Sequence, residues 1–275
     1  MPAFPGGLIN LNWFPKFIRR GFWRFADRVV VDPMISPALN AFREKIGLPP
    51  VKQIVGSWWN SPTLTLGMWP EWFLPIQSDY PKQVKLAGFP LYDESDHQSL
   101  DPDLESFLQA GTPPIAFTPG SAMLFGHKFF EAAVDACVQM KRRGLLLSRH
   151  SDHIPANLPD SVKYVPFAPF GVLLPRCAAA VHHGGIGSTA QGFNSGIPQL
   201  IMPMSHDQFD NAALSKKLGT ADFLSVRSFK GKNVADKLDR LINSSDVQAK
   251  CRTIQQKIRS ENAVEKCCQI LESAN

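Results

Sequence analysis

Val181-His182-His183-Gly184-Gly185-Ile186-Gly187-Ser188-Thr189-Ala190 is the stretch whose reading decides the fold. A short apolar run, 177–181, leads into it and reads as a buried strand. A small-residue segment, 188–195, follows and reads as a helix closed by Gly196. A strand, a glycine-rich turn and a helix start together make an anion site. The first-turn N–H groups have no intrahelical acceptor, and the helix dipole puts partial positive charge there. Glycines let the backbone approach a phosphate with no Cβ in the way. A histidine at the mouth can donate a hydrogen bond to the same phosphate. The next apolar run, 199–202, is a second strand, and it releases Asp207 and Gln208 beside the turn.

Outward from this stretch, apolar runs and helical patterns alternate. Strands are predicted at 115–118, 145–147, 162–165, 179–181, 199–202 and 223–226. Helices are predicted at 129–143, 171–175, 188–195, 207–218, 234–242 and 247–273. Alternation of this kind gives an α/β fold, a Rossmann-like parallel sheet with helices on both faces. Ligands of such sheets bind at the carboxyl ends of the strands. Gly120-Ser121, Phe167-Ala168-Pro169, His183-Gly184-Gly185 and Asp207-Gln208 all follow predicted strands, so they converge on one rim.

The chain has 275 residues, enough for one large or two modest domains. At 44% hydrophobic and 19% charged it reads as globular rather than disordered. No apolar run reaches the ~20 residues of a membrane helix. The first residues carry no signal-peptide pattern, so a cytoplasmic protein is expected. The net charge of +5 is scattered, which argues against a nucleic-acid partner. Five cysteines without a C-x-x-C spacing argue against a disulfide framework and against a metal site.

The first part of the chain is less regular. Residues 1–35 are aromatic and basic, and read as a packed helix with snorkelling arginines; a helix lying on a membrane surface is the alternative. A helix is predicted at 36–46, with Ser36 as its cap and Pro37 in its first turn. Trp58, Trp59, Trp69 and Trp72 either line an apolar pocket or belong to a core. Residues 80–103 gather prolines, glycine and acids, and read as a linker or domain edge.

The ordered string His-His-Gly-Gly-Ile-Gly-Ser, then Gly196-Ile197-Pro198-Gln199, then Pro203 and Asp207-Gln208 resembles the donor signature of two-domain (GT-B) nucleotide-sugar glycosyltransferases. The likeness is to the UDP-glycosyltransferase-like bacterial branch that includes antibiotic, sterol and rhamnolipid glycosyltransferases. It implies transfer of a hexosyl group from a UDP- or dTDP-sugar to a small, apolar acceptor, with no further cofactor. By the resemblance, Ser121, His183, Gly184, Gly185, Gly187 and Ser188 bind the donor diphosphate. Phe167 stacks on the base, and the Ala168 backbone pairs with its edge. Plant members carry tryptophan and glutamine where this chain has Phe167 and Phe170. Gln191 replaces the plant ribose-binding glutamate, so a bidentate carboxylate grip is lost. Asp207 and Gln208 hold the donor sugar, and Asp207 also suits the cap of the following helix. His182 reads as a packing residue or as support for the turn from behind.

The likeness begins late in the N-terminal domain. It implies a remnant of the acceptor domain at 1–78, a crossing segment at 79–103 and the donor-binding domain at 104–275. No counterpart of the acceptor-side general base is found, so no catalytic residue is assigned. Either the chain is a fragment, or a separate acceptor-domain chain completes it. A donor-binding subunit active only with a partner is therefore the competing reading. A nucleotide-sugar epimerase is the third, and lacks paired acid/base carboxylates. A serine hydrolase is disfavoured, since no G-x-S-x-G occurs.

Overall fold

A computed structural model describes residues 14–92, 100–120 and 126–274. The elements in chain order begin with α1 (Lys16–Ala26), a π-helical turn (Asp27–Val31), α2 (Asp32–Lys45) and a second π-helical turn (Ile54–Trp58). Then come β1 (Thr65–Gly67), β2 (Val84–Leu86), α3 (Pro102–Gln109), β3 (Ile115–Thr118), α4 (His127–Met140) and β4 (Gly144–Leu147). After these follow β5 (Val162–Val165), α5 (Phe170–Leu173), β6 (Ala179–His182), α6 (Ile186–Ser195), β7 (Gln199–Ile201) and α7 (Gln208–Lys217). The chain closes with β8 (Ala221–Phe223), α8 (Gly231–Asn243), α9 (Ser245–Arg259) and α10 (Ala263–Glu272).

The expected parallel sheet is present. Six strands pair in parallel in the order β5-β4-β3-β6-β7-β8. This is the doubly wound order, whose direction of winding reverses between β3 and β6. Strand periodicity explains the two covered faces. Ile115, Phe117, Leu146, Ala179, Val181 and Leu200 meet α4 and α8, with Phe130, Ala133, Val234 and Leu238 among the partners. The alternate residues Ala116, Leu145, Leu147, Val165 and Ala180 meet Leu104 and Leu108 of α3 and Leu173 of α5. Every strand from β3 to β7 that lies inside the sheet is buried on both sides, as its unbroken apolar run predicts.

A third apolar cluster fastens residues 69–91 to α6 and α9. The rings of Trp72, Phe73, Phe89 and Phe193 meet at centroid separations of 5.3–6.3 Å, mostly edge to face. Ile254 and Ile258 of α9 complete it. The Trp72 indole N–H donates to Glu261 Oε1 at 2.8 Å. Trp69 and Trp72 are thus core residues, whereas Trp58 and Trp59 are exposed. The 79–103 stretch contains β2, paired in parallel with β1, and the buried Ala87 and Phe89, so its residues 84–90 are largely packed. Asp101 caps α3 by accepting the Asp103 N–H at 2.8 Å, so the helix opens two residues before position 104.

Several predicted boundaries move. The helix expected at 36–46 starts at Asp32 and is continuous with α1. Ser36 is not its cap; its hydroxyl is buried without a partner. The polar work passes to two aspartates instead. Asp32 accepts the N–H groups of Gln53 and Ile54, and Asp27 those of Val55 and Gly56, at 2.7–3.2 Å. The packed-helix reading of 1–35 does not hold among the described residues: Phe17, Phe25, Val29, Val30 and Met34 are exposed. The last strand lies at 221–223, not 223–226, because the Ser225 hydroxyl caps a 3-10 turn and ends pairing. The long helix at 247–273 breaks before α10, where the Asn262 side chain accepts the Glu265 N–H and caps a new start.

Phe193 sits at the centre of the aromatic cluster and is 2% exposed. Phe193→Ala is expected to cost about 3–5 kcal/mol of unfolding free energy by lost burial and an unfilled cavity. Urea denaturation of the two proteins measures it.

Candidate functional site

β6 delivers the quoted stretch to the reversal point of the sheet. Thr118 of β3 and His182 of β6 are register partners, so the loops leaving these strands open side by side. Gly184 adopts φ +91°, a conformation that favours glycine. Gly185 then precedes the first turn of α6, and the helix closes at Gly196 with φ +68°, as expected. The N–H groups of residues 185–188 meet no acceptor among the described residues. They are the orphan donors of a helix start, turned toward the crevice.

Gly184 differs from the expectation. Its N–H is taken by His182 Nδ1 at 3.0 Å, and its carbonyl accepts the Asn211 amide at 2.9 Å. It shapes the turn and cannot offer its N–H to a phosphate. His182 lies behind the turn, 1% exposed, and also pairs with Gln199 Oε1 at 2.8 Å. Burial, with a lesser push from the His183 ring, lowers the His182 pKa to about 4.

His183 is half-buried and held between two glycines. A Cβ on Gly120 would come within 2.6 Å of its ring, and one on Gly185 within 2.5 Å. Its Nδ1 is buried with no partner. Burial lowers its pKa, against an upward pull from the Asp207 carboxylate. A neutral ring carries one N–H, enough for one hydrogen bond to a phosphate oxygen.

A cavity of about 650 Å³ opens in front of the turn. Phe167, Ala168, His183, Gly185, Gly187 and Ser188 all line it, so most of the site predicted from sequence does assemble. Phe167 is 44% exposed, and the Arg149 guanidinium stands 5.5 Å over its ring. Sequence reading missed Ser148, Arg149 and His150, which also line the cavity. The signal was available, since these residues directly follow β4, as the other loops of the rim follow their strands.

Besides Gly184, three predicted residues stand apart from this lining. Gln191 is buried in α6, with its Oε1 unpartnered. Gln208 spends its Oε1 on the N–H groups of Met204 and Ser205, at 2.8 and 3.1 Å, and so braces the loop after β7. Asp207 is exposed and does not cap α7 with its side chain. Its carboxylate accepts instead from Asn211, the same amide that holds the Gly184 carbonyl. Asn211 was also missed, although it stands four residues beyond Asp207 on the same helix. Ser121 falls outside the described residues. No group of three metal-ligating side chains occurs among the described residues.

A doubly wound sheet with a glycine-rich helix start at its reversal point, beside an aromatic-lined cavity, is an arrangement found in nucleotide-binding α/β domains. Residues 135–273 match the family described as the C-terminal domain of erythromycin biosynthesis protein CIII-like proteins, and the chain belongs to that family. Among curated relatives, it is 30% identical over 244 residues to O-mycaminosyltylonolide 6-deoxyallosyltransferase of Streptomyces fradiae, covering 85% of this chain and 55% of that one. It is 25% identical over 267 residues to sterol 3-beta-glucosyltransferase of Komagataella phaffii, covering 91% of this chain and 22% of the relative. The chain thus spans about half, or less, of the length of these relatives. Its fold matches the kitacinnamycin glycosyltransferase with a TM-score of 0.75 at 19% identity, over 94% of this chain and 67% of the other. It matches the calicheamicin glycosyltransferase CalG4 with a TM-score of 0.66 at 19% identity, over 98% and 68%. The GT-B type of fold expected from sequence is thereby established.

The buried histidine makes stability depend on pH. The unfolded chain protonates His182 near its ordinary value, and the folded chain only near 4. The unfolded state therefore binds more protons as pH falls from about 6.5 to 4, and stability drops through that window. The loss is about 3 kcal/mol for this group, and the lowered pKa of His183 adds in the same direction. Urea unfolding at pH 7 and at pH 4.5 is expected to show the fall, with a smaller one in His182→Asn.

Proposed function

We propose that this chain binds a UDP- or dTDP-sugar and serves as the donor half of a glycosyltransferase acting on a small, apolar acceptor. The observation that carries the reading is the free row of N–H groups at 185–188 with the unpartnered, glycine-cradled His183 beside it, facing one cavity. In this reading Phe167 stacks on the base, and the Ala168 backbone meets its edge. Gly185, Gly187, Ser188 and His183 hold the diphosphate, with Ser121 closing over it. Asp207 holds the sugar hydroxyls. Gln191 meets the ribose only if its side chain turns out of the α6 interior. Gln208 contributes through the loop it braces.

The chemistry is displacement at the anomeric carbon. The acceptor hydroxyl passes its proton to a base on the acceptor side, and its oxygen forms a bond to that carbon as the bond to the diphosphate oxygen breaks. Negative charge grows on the departing diphosphate. The N–H row, the helix dipole and the His183 N–H are preorganised around that charge and stabilise it. A donor-binding subunit completed by a separate acceptor-domain chain is the second reading, favoured by a cavity lining without a carboxylate to deprotonate an acceptor among the described residues. No helix of the described residues is long and apolar enough to cross a membrane. Cys137, Cys177 and Cys251 are buried and unpaired, which suits the reducing cytoplasm.

Calorimetric titration with UDP and with dTDP tests the reading. One of them is expected to bind, and His183→Ala to weaken it about tenfold or more, the worth of one hydrogen bond to a charged group. A folded protein that binds neither nucleotide overturns it. Sugar transfer by the chain alone, to an apolar alcohol, separates the complete transferase from the subunit.

A further inference from the structure

Behind the turn lies a set of buried polar groups that no substrate in the cavity touches. His182 is 1% exposed and Gln199 0%, on adjacent strands in the buried interior of the sheet. Polar side chains in such a place are costly unless their hydrogen bonds are complete. Here they are, and the pattern fixes the protons. The Gly184 N–H donates to His182 Nδ1, so that nitrogen carries no hydrogen. The ring proton therefore sits on Nε2, which donates to Gln199 Oε1. The Gln199 amide nitrogen, oriented by that bond, donates to the Thr189 carbonyl at 3.3 Å. Three bonds thus run in one direction, from the turn through β6 and β7 into the first half of α6. The space for Gln199 is provided by Gly192, where a Cβ would lie 2.4 Å from the Gln199 carboxamide carbon.

We propose that His182 and Gln199 are the positioning pair of the donor-phosphate turn. The pair takes the Gly184 N–H out of competition, holds Gly184 in its left-handed conformation and ties the start of α6 to the two strands beneath it. The N–H groups of residues 185–188 are left as one fixed set facing the cavity. Neither side chain touches the donor; both act through the backbone. The proposal rests on the phosphate role of the turn given above.

Three variants, one nucleotide and its nucleoside test it. In His182→Asn the side-chain oxygen stands where Nδ1 stood, so the bond from Gly184 survives and the bond to Gln199 does not. In His182→Gln the amide nitrogen stands where Nε2 stood, and the acceptor for Gly184 is lost. Gln199→Met removes the far link at similar volume. UDP and uridine are titrated into each. His182→Asn is expected to keep UDP affinity within about threefold of the parent, and His182→Gln to lose about tenfold or more. Gln199→Met is expected to fall between them. Uridine, which lacks the phosphates, is expected to bind all four proteins alike. Equal losses in the Asn and Gln variants, or equal losses for uridine and UDP, overturn the proposal.

A readout independent of nucleotide binding is the nitrogen NMR spectrum of the parent protein labelled at histidine and glycine. His182 is expected as the Nε2–H tautomer, with the Gly184 amide exchanging more slowly than the unpaired Gly185 amide. The opposite tautomer, or equal exchange, overturns the pair even if a variant fails to fold. A parent that shows the expected tautomer and exchange but binds neither UDP nor dTDP keeps the pair as an element of the turn. That result removes its donor role along with the proposed function.

Discussion

Parallel pairing of β3 with β6 is the constraint on which the molecule depends. Each strand is followed by a crossover that must return over a face of the sheet, and the two crossovers leave in opposite directions. Crossovers that part in this way leave a crevice at the carboxyl ends of the pair. Gly120 and the His183 turn stand on its two sides, close enough that a single methyl on Gly120 would strike the His183 ring. The apolar alternation along the strands sets both the two covering layers and the location of the one polar rim.

The polar groups at that rim are arranged in depth. Nearest the cavity are donors without an acceptor among the described residues: backbone N–H groups and a histidine whose pKa burial lowers. Behind them are polar groups engaged with one another: His182 and Asn211 bond the backbone of the turn at Gly184, and Gln199 links the His182 ring to the Thr189 carbonyl of α6. A neutral donor set suits a dianionic or trianionic ligand, because it attracts charge without requiring a proton to be given up. Arg149, over the face of Phe167, is the permanently charged side chain among the lining residues.

The sheet, its parallel sense and the convergence of the rim were legible because they follow from runs of buried residues and from glycine placement. Phe167, Ala168, His183, Gly185, Gly187 and Ser188 could be gathered from sequence because they stand in the loops and helix start that follow β5 and β6. What failed depends on side-chain bonding across distance. Gly184 looks like a donor until His182 is seen to occupy it. Gln208 looks like a sugar ligand until Met204 and Ser205 are seen to use its oxygen. Ser36 looks like a cap because serine before proline usually is one; Asp27 and Asp32 instead organise that region through residues more than 20 positions away. Composition marked 80–103 as an edge, but could not show that Phe89 turns inward to meet Phe193.

That inward turn has a bearing on where the polypeptide can be divided. Phe193 belongs to α6, the helix whose opposite end forms the anion site, and its ring is covered by Trp72, Phe73 and Phe89. A version trimmed to begin at position 104 would strip this cover. It would lay bare Phe193, Ile254 and Ile258 on one face and leave Glu261 without its indole partner. The smallest self-sufficient unit around the site therefore starts ahead of residue 69, and it carries its own aromatic lid from the preceding segment.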